Sequence, residues 1–180
     1  MGKLTEQGIL DATEKIIYKN GIKKTTLYDV AKDLDVSHAA LYKHFSNKDD
    51  LFEKLTRQWL DKTSSDLLNW NPLAEQDYEK NLHDWLWLLA KTKKNLAEDD
   101  GEMFLLYAEY IENHEEILNS HLDQLAKKIV EITDFKLDTG RGIILAFTYF
   151  HNPYFSNRWN RPNYKDLFEQ VWDLVKDFSE

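Results

Sequence analysis

Residues 25–52 read TTLYDVAKDLDVSHAALYKHFSNKDDLF, and this stretch predicts two short helices, a tight turn between them and the start of a third helix. Apolar residues at i, i+3, i+4 and i+7 form one face of the first helix, and they are Leu27, Val30, Ala31 and Leu34. Thr26 stands where a helix cap is needed, and Asp29 follows at the spacing of a capping box. The first of these helices is therefore expected to begin directly after Thr26.

The second helix of this stretch is short and mostly polar. Residues 35 and 36 make the turn, and Ser37 is a favourable N-cap for a helix from position 38 to about position 44. Leu41 and Phe45 face inward, which leaves five residues toward solvent: His38, Ala39, Tyr42, Lys43 and His44. Asn47 is expected to cap the next helix. A short helix that presents a hydroxyl, a lysine and two histidines suits a DNA groove, so the pattern predicts a helix-turn-helix.

The same stretch resembles the DNA-binding signature of the TetR family of transcriptional regulators. That signature has a Thr-Thr opening, a Val-Ser turn, an L-Y-x-H-F run and an N/S-K-x-x-L-F run, and here these are Thr25-Thr26, Val36-Ser37, residues 41–45 and residues 47–52. The resemblance covers residues 4–60, about a third of the chain. Asp35 stands at the usual turn glycine and tolerates left-handed geometry. Ala39-Ala40 replaces a frequent Gly-Thr, which removes a hydroxyl from the family's usual phosphate contact.

The resemblance implies an all-α fold for the whole chain. It implies a three-helix DNA-binding head at residues 1–47 and a ligand-binding and dimerisation body at residues 48–180, with a long connecting fourth helix at 48–69. It also implies a homodimer in which the last two helices pair with their counterparts. The alternative is that both helices bury their apolar stripes within one subunit.

Apolar periodicity along the rest of the chain agrees with this architecture. It predicts about nine helices, with helices beyond the head near residues 48–69, 76–96, 104–111, 118–132, 143–150 and 164–178. Asn152-Pro153 is expected to end the eighth helix, and residues 154–162 to form a loop. Strand-like alternation and internal repeats are absent from the sequence.

Composition and charge exclude several classes of protein. A chain that is 42% hydrophobic and 13% aromatic is globular, and the absence of cysteine excludes disulfides and thiolate metal sites. The sequence has no apolar run near 18 residues and no signal-peptide pattern, which favours a soluble cytoplasmic protein. Residues 1–62 carry eleven Lys or Arg and ten Asp or Glu, whereas the remaining 118 carry twelve and twenty-two. The N-terminal part is therefore the part suited to DNA.

Candidate DNA contacts lie in and around the second helix of the helix-turn-helix. Ser37, His38 and Tyr42 are expected to reach base edges or thymine methyls, and Lys43, His44 and Lys48 to hold phosphates. The full candidate set is Thr25, Thr26, Ser37, His38, Ala39, Tyr42, Lys43, His44 and Lys48. The alternatives are capping for Thr26, packing on the first helix for Tyr42, an internal hydrogen bond for His44 and plain solvation for Lys48.

The body is rich in aromatic residues, which suits a cavity for a flat or lipophilic compound. The candidate ligand-binding residues are Trp85, Phe104, Tyr107 and Phe147; the alternative for each is an ordinary core position. His114 and His121 are seven residues apart, but nothing completes a metal site around them. His151 is expected near the negative end of a helix. Neither a metal nor a cofactor is predicted.

These features favour a sequence-specific DNA-binding regulator. Motifs for phosphate loops, serine hydrolases and zinc proteases are absent from the sequence, so an enzyme is not expected. The hypothesis is a homodimeric repressor that leaves a pseudo-palindromic operator when a small molecule binds. The alternative is a helix-turn-helix protein that acts constitutively or through protein partners. A small molecule that weakens DNA binding and raises the melting temperature discriminates between them.

Overall fold

The computed structural model describes residues 4–176, and over that range the chain is all helical, with no strand. The α-helices are α1 Glu6–Asn20, α2 Leu27–Asp33, α3 His38–Leu41, α4 Lys48–Leu68, α5 Tyr78–Asp99, α6 Gly101–Asn113, α7 Glu115–Thr133, α8 Leu137–Ala146, α9 Thr148–His151 and α10 Tyr164–Val175. Two short 3-10 helices span Ile22–Lys24 and Pro153–Arg158. The predicted all-α fold is confirmed. Phe178, expected in the last helix, lies outside the described residues.

The helix predicted at 143–150 differs most from the expectation, because it is two helices. α8 begins at Leu137 and ends at Ala146, and α9 begins only at Thr148. Phe147 between them has φ −91° and ψ 10°, which interrupts the regular backbone. The apolar residues keep helical spacing across the break, so periodicity alone does not reveal it. The next segment, expected as a loop, starts with a 3-10 helix that has Pro153 at its first position.

The chain forms two compact units that divide differently from the predicted domains. The first unit contains the chain up to Thr63 together with Asp100–Asn113, and the second contains Ser64–Asp99 and the chain from His114 onward. Most of α4 and all of α6 thus belong with the N-terminal helices rather than with the body. The predicted boundary at residue 47 is where the sequence motif ends. The compact unit is instead defined by contacts between residues far apart in the chain.

Three hydrogen bonds hold α6 within the first unit. The indole N–H of Trp59 in α4 donates to the carboxylate of Asp100 at 2.8 Å. The Tyr110 hydroxyl donates to the Asp49 carboxylate at 2.7 Å. At the other end of α6, the Glu102 carboxylate accepts the backbone N–H of Ile22 at 3.0 Å. These bonds tie α6 to the start and middle of α4 and to the segment that precedes the helix-turn-helix.

The core of the first unit is small. It contains the predicted residues Ile9, Ile16, Leu27, Val30, Leu41 and Phe45, all buried, while Leu34 is only half-buried. Trp59 and Tyr107 extend this core, with their ring centroids 5.5 Å apart. The contribution of α6 offsets the limited apolar area that about 50 residues bury alone.

The core of the second unit is largely aromatic. Phe168 lies at its centre, with ring centroids 4.9 Å from Trp87, 5.1 Å from Phe147 and 5.4 Å from Phe150. α7 and α8 pack closely, because a Cβ at Gly140 would lie 2.8 Å from the carbonyl oxygen of Ala126. Along the described part of the chain, no helix has the length and apolar character needed to span a membrane.

Candidate nucleic-acid interface

The first helix of the helix-turn-helix begins with the predicted capping box. The Thr26 hydroxyl oxygen accepts the Asp29 N–H at 3.2 Å, and the Asp29 carboxylate accepts the Thr26 N–H at 3.0 Å. The hydrogen bond from the Thr26 hydroxyl holds the pKa of the Asp29 carboxyl below its usual value. Two backbone N–H groups at the start of α2 are satisfied in this way. The capping role expected for Thr26 is confirmed.

The turn between α2 and α3 has the geometry expected of it. Asp35 has φ 53°, in the left-handed region where glycine is common and aspartate is tolerated. Directly after it, the N–H of Val36 donates to the carbonyl of Ala31 at 3.0 Å. This bond closes a tight turn, and α3 starts two residues later.

α3 is shorter than predicted, but it begins at the predicted cap residue. It ends at Leu41, and residues 42–44 continue as hydrogen-bonded turns. Ser37 occupies the N-cap as predicted, although within the described chain its side chain makes no cap hydrogen bond. The Ser37 carbonyl instead accepts the N–H of Ala40 at 2.9 Å, which starts the helix through the backbone. The hydroxyl is exposed and therefore available to an external acceptor.

The outer surface of α3 presents most of the candidate DNA contacts. Ser37, His38, Ala39 and Lys43 are exposed, and Tyr42 is 49% exposed. The Tyr42 ring stands edge-on against His38, with centroids 5.0 Å apart. Only Leu41 within the helix is buried, and Phe45 just after it anchors the turn. α3 is thus held by two apolar residues and offers its remaining surface to a ligand.

The start of α4 lies next to this surface. Asn47 caps it as predicted, its side-chain oxygen accepting the Asp50 N–H at 2.9 Å. Hydrogen bonds from the backbone and hydroxyl of Ser46 hold the pKa of the Asp50 carboxyl below its usual value. The Lys48 ammonium stands 4.7 Å from the centroid of the Phe52 ring, which positions its charge at the amino end of α4. His44, four residues before Lys48, is half-buried.

Thr25 differs from the other candidates because it is buried. Its side chain is 0% exposed, and its hydroxyl donates to the Gly21 carbonyl at 3.0 Å. This bond fixes the link after α1, where Gly21 has φ 82° and ends that helix as predicted. A residue held inside the fold is poorly placed to reach phosphate. We therefore leave Thr25 out of the interface that we propose below.

The four candidate ligand-binding residues are all buried, but they do not form one set. Phe104 and Tyr107 lie on α6 in the first unit, with ring centroids 5.7 Å apart. Trp85 and Phe147 lie in the second unit, where the Trp85 indole N–H donates to the Leu67 carbonyl at 3.0 Å. A site within either unit contains at most two of the four. Their role in ligand binding stays a prediction.

The burial of three basic residues in the second unit was not anticipated from sequence. Lys93, His121 and His151 are each at most 4% exposed. Lys93 lies in the run KTKK, which is typical of a solvated helix face. Its position in the helix distinguishes Lys93 from a solvated lysine. Lys93 follows buried Leu89 by four residues and buried Ala90 by three, so it lies on the buried face of α5. Groups of three or more His, Cys, Asp or Glu able to hold a metal do not occur among residues 4–176.

Comparison with known proteins places this geometry in a family. The model of the bacterial regulatory proteins of the tetR family matches residues 9–55, and the model of the tetracyclin repressor-like C-terminal domain matches residues 79–172. The second match alone spans more than half of the chain. The chain belongs to the TetR family. The resemblance that residues 25–52 carry is thereby confirmed, and it extends into the helical body.

Curated TetR-family relatives match in the N-terminal region. The chain is 41% identical over 51 residues to the HTH-type transcriptional regulator TtgR of Pseudomonas putida, covering 28% of this chain and 24% of TtgR. It is 37% identical over 51 residues to AcrR of Shigella flexneri, with the same coverage of each. The chain thus spans about a quarter of the length of the curated relatives it matches.

Solved structures share the TetR fold over nearly the whole chain. BioQ with its double-stranded DNA operator superposes with a TM-score of 0.64 at 16% identity, covering 97% of this chain and 99% of BioQ. Thermus thermophilus FadR in complex with lauroyl-CoA superposes with a TM-score of 0.63 at 17% identity, covering 98% and 95%. At such identities the likeness establishes the fold.

Proposed function

We propose that this chain is a homodimeric transcriptional regulator of the cytoplasm, a repressor that binds a pseudo-palindromic DNA operator and leaves it when a small molecule binds. The observation that carries the proposal is the surface of α3, which buries Leu41 alone and exposes Ser37, His38, Tyr42 and Lys43. A helix needs such a surface to enter the major groove. Membership of the TetR family and the similarity to the transcriptional regulator TtgR support the same conclusion.

Within this proposal, each exposed side chain has a role that its chemistry dictates. Ser37 and His38 at the start of α3, and Tyr42 at its end, contact base edges or thymine methyl groups. Lys43 and Lys48 neutralise phosphates, and His44 donates to a phosphate oxygen. Ala39 allows close approach to the groove. The amino end of α4 adds its partial positive charge beside Lys48.

The dimer is supported by apolar side chains that one subunit leaves in solvent. Leu145 on α8 is 62% exposed, and Leu174 on α10 is 77% exposed. Leu167 and Val171, at the preceding turns of α10, are half-buried, which makes a partly open apolar stripe. α8 and α10 pack against each other within the second unit, so both leucines belong to a pair of neighbouring helices. A second copy that covers these residues also supplies a second α3 for a two-fold operator.

Ligand responsiveness is supported by the membership of α6 in the first unit. The chain enters α6 from α5 and leaves it into α7, both of which belong to the second unit. The Glu102 carboxylate on α6 holds the Ile22 N–H, three residues before Thr25. A ligand that displaces α5 or α7 would therefore pull on a helix bonded to the DNA-binding head. BioQ with an operator and FadR with lauroyl-CoA indicate that this fold accommodates both kinds of ligand.

The experiment measures DNA binding by fluorescence anisotropy with an operator obtained by selection. Tyr42→Ala is expected to lower affinity for that operator at least about tenfold while changing affinity for unrelated DNA little, because it removes a base contact. Tyr154→Ala is the matched control, since Tyr154 is 80% exposed and lies in the second unit. Equal losses for operator and unrelated DNA would contradict base reading by α3.

A further inference from the structure

Two stretches of the chain carry opposite charge. Residues 95–126 contain nine Asp or Glu and no Lys or Arg, whereas residues 139–165 contain four Lys or Arg and no Asp or Glu. Side chains in each stretch therefore find no partner for an ion pair among their neighbours in sequence. Stretches of opposite charge suit binding between two surfaces of opposite sign.

The acidic stretch presents an exposed face on α6. Leu105, Glu109 and Glu112 recur at i, i+4 and i+7, so they lie along one side of the helix. Leu105 is 56% exposed, and both glutamates are exposed. Residues three and four apart on a helix have Cβ atoms about 5–6 Å apart. An apolar side chain is thus followed by two carboxylates, and we call these three residues the acidic face.

The basic stretch presents a comparable row of side chains just before α10. Tyr154 is 80% exposed, and Arg158 and Arg161 follow at the same spacing and are both exposed. The Arg161 N–H donates to the Arg158 carbonyl at 3.2 Å, so the two arginines lie one turn apart. An aromatic side chain is thus followed by two guanidinium groups, and we call these three residues the basic surface.

The backbone under the basic surface is held by the chain itself. Pro153 begins the 3-10 helix, and the Asn152 side chain accepts the Tyr154 N–H at 3.0 Å. The Trp159 indole N–H donates to the Tyr149 carbonyl at 2.7 Å, which anchors the segment between the two arginines. A preorganised surface loses less conformational entropy on binding. Tyrosine and arginine are also among the residues that contribute most to binding in protein interfaces.

The charges of the two surfaces match in number and spacing. Across residues 4–176, no ion pair involves the four charged members, which are Glu109, Glu112, Arg158 and Arg161. One guanidinium donates two hydrogen bonds to one carboxylate, and such bonds are among the strong polar contacts in proteins. Two carboxylates one turn apart therefore suit two arginines one turn apart. The leucine that precedes the carboxylates likewise suits the tyrosine that precedes the arginines.

We propose that the acidic face of one copy of the chain binds the basic surface of a second copy, and that the second copy returns the same contact to the first. Such an exchange closes around a two-fold axis and gives a dimer rather than an open filament. The inference rests on the proposed function, because it places the contact in the proposed homodimer. Arg161 precedes α10 by three residues, so the contact continues the interface proposed for that helix.

The contact has a consequence for regulation. α6 belongs to the first unit, which contains the helix-turn-helix, whereas the basic surface belongs to the second unit. The contact therefore joins the DNA-binding unit of one copy to the second unit of the other. A change in the second unit of either copy then acts on the DNA-binding unit of its partner.

Reversal of the charges tests the pairing. One variant carries Glu109→Lys and Glu112→Lys, and the other carries Arg158→Glu and Arg161→Glu. Each variant alone is expected to raise the dimer dissociation constant at least about tenfold in analytical ultracentrifugation, because both contacts in its dimer join like charges. An equimolar mixture is expected to restore the wild-type constant, because both contacts in the mixed dimer join opposite charges. Native mass spectrometry should then show the mixed dimer in excess of its statistical proportion.

A matched control changes the net charge by the same amount at other positions. Asp61→Lys combined with Asp66→Lys reverses two exposed carboxylates on α4 and is expected to leave the dissociation constant unchanged. Circular dichroism checks that each variant retains its helix content. Unchanged dimers in both reversal variants, or a mixture as weak as its components, would overturn the proposal.

Other outcomes separate this contact from its alternatives. If a poly-glutamate peptide binds the wild-type chain but not the arginine variant, while both reversal variants dimerise normally, the basic surface takes an acidic partner and the second copy is excluded. Loss of the dimer in Leu145→Glu, with no effect of the reversals, would keep the proposed homodimer and reject this contact. A wild-type chain that stays monomeric would reject both, while DNA selection would still test the role of α3.

Discussion

Replacing Lys93 by methionine removes a buried ammonium group while keeping a side chain of similar length. Lys93 is 1% exposed, and burial lowers its pKa from 10.5 to about 7. The folded chain therefore binds fewer protons at this position than the unfolded chain between about pH 7 and pH 10.5, so stability rises with pH across that interval. Methionine does not titrate and makes this contribution to stability independent of pH.

The pKa difference sets the magnitude of the effect. A difference of about 3.5 pKa units at about 1.4 kcal/mol each corresponds to about 5 kcal/mol, most of which is already expressed at pH 7. Relaxation around the lysine and the loss of its other contacts reduce the gain. We expect Lys93→Met to raise the free energy of unfolding by about 2–4 kcal/mol at pH 7. The gain should shrink to about 1 kcal/mol near pH 9.5, where the unfolded chain begins to release the same proton.

The assay is urea unfolding of the ligand-free protein at the two pH values, followed by circular dichroism. Lys91→Met is the control, because its lysine is exposed and its replacement should change stability by less than about 0.5 kcal/mol at either pH. A gain for Lys93→Met that is the same at both pH values, or a loss of stability at pH 7, would refute the reasoning. Burial lowers the pKa values of His121 and His151, the charge of Lys93 lowers them further, and both variants retain these two histidines.

Three further predictions test the packing and the assembly. Gly140→Ala is expected to lower the free energy of unfolding by about 1–3 kcal/mol, because the new Cβ would meet the Ala126 carbonyl. Gly142 has open space around it, so Gly142→Ala should be neutral or stabilising by up to about 1 kcal/mol. Equal effects of the two substitutions on thermal unfolding would contradict close α7–α8 packing. Tyr110→Phe removes the bond to the Asp49 carboxylate and should cost about 1–2 kcal/mol in urea unfolding, and an unchanged midpoint would show that this bond does not hold α6. Leu145→Glu should convert the dimer to monomer in sedimentation velocity without changing helix content, and persistence of the dimer would place the interface elsewhere.

The helix-turn-helix was predictable because its determinants are local. The capping box of Thr26 and Asp29 spans three residues, and the left-handed turn depends on the single residue Asp35. The same is true of Gly21 and Asn47, which end α1 and start α4. Rules for caps and turns describe such features directly from the sequence. The extent of α3 was less accurate, because helical spacing continues through turns that are no longer α-helix.

Features that depend on distant contacts were not predictable in the same way. The placement of α6 in the first unit rests on bonds such as Trp59 to Asp100, which join residues 41 positions apart. Thr25 is a different case, because its hydroxyl bond to Gly21 spans only four residues but the sequence motif equally suited a phosphate contact. The burial of Lys93, His121 and His151 depends on the other helices that cover these residues. Periodicity within one helix does not say which other helix covers each face.

The central claim is that the exposed surface of α3 reads a two-fold symmetric DNA sequence. Selection of duplex DNA from a random pool by this chain, at two salt concentrations, tests this claim most directly. The account predicts enrichment of a pseudo-palindrome with half-sites about one helical turn apart, or a multiple of it, and affinity that falls steeply as salt rises. Recovery of no common sequence, or of an asymmetric site with weak salt dependence, would contradict it.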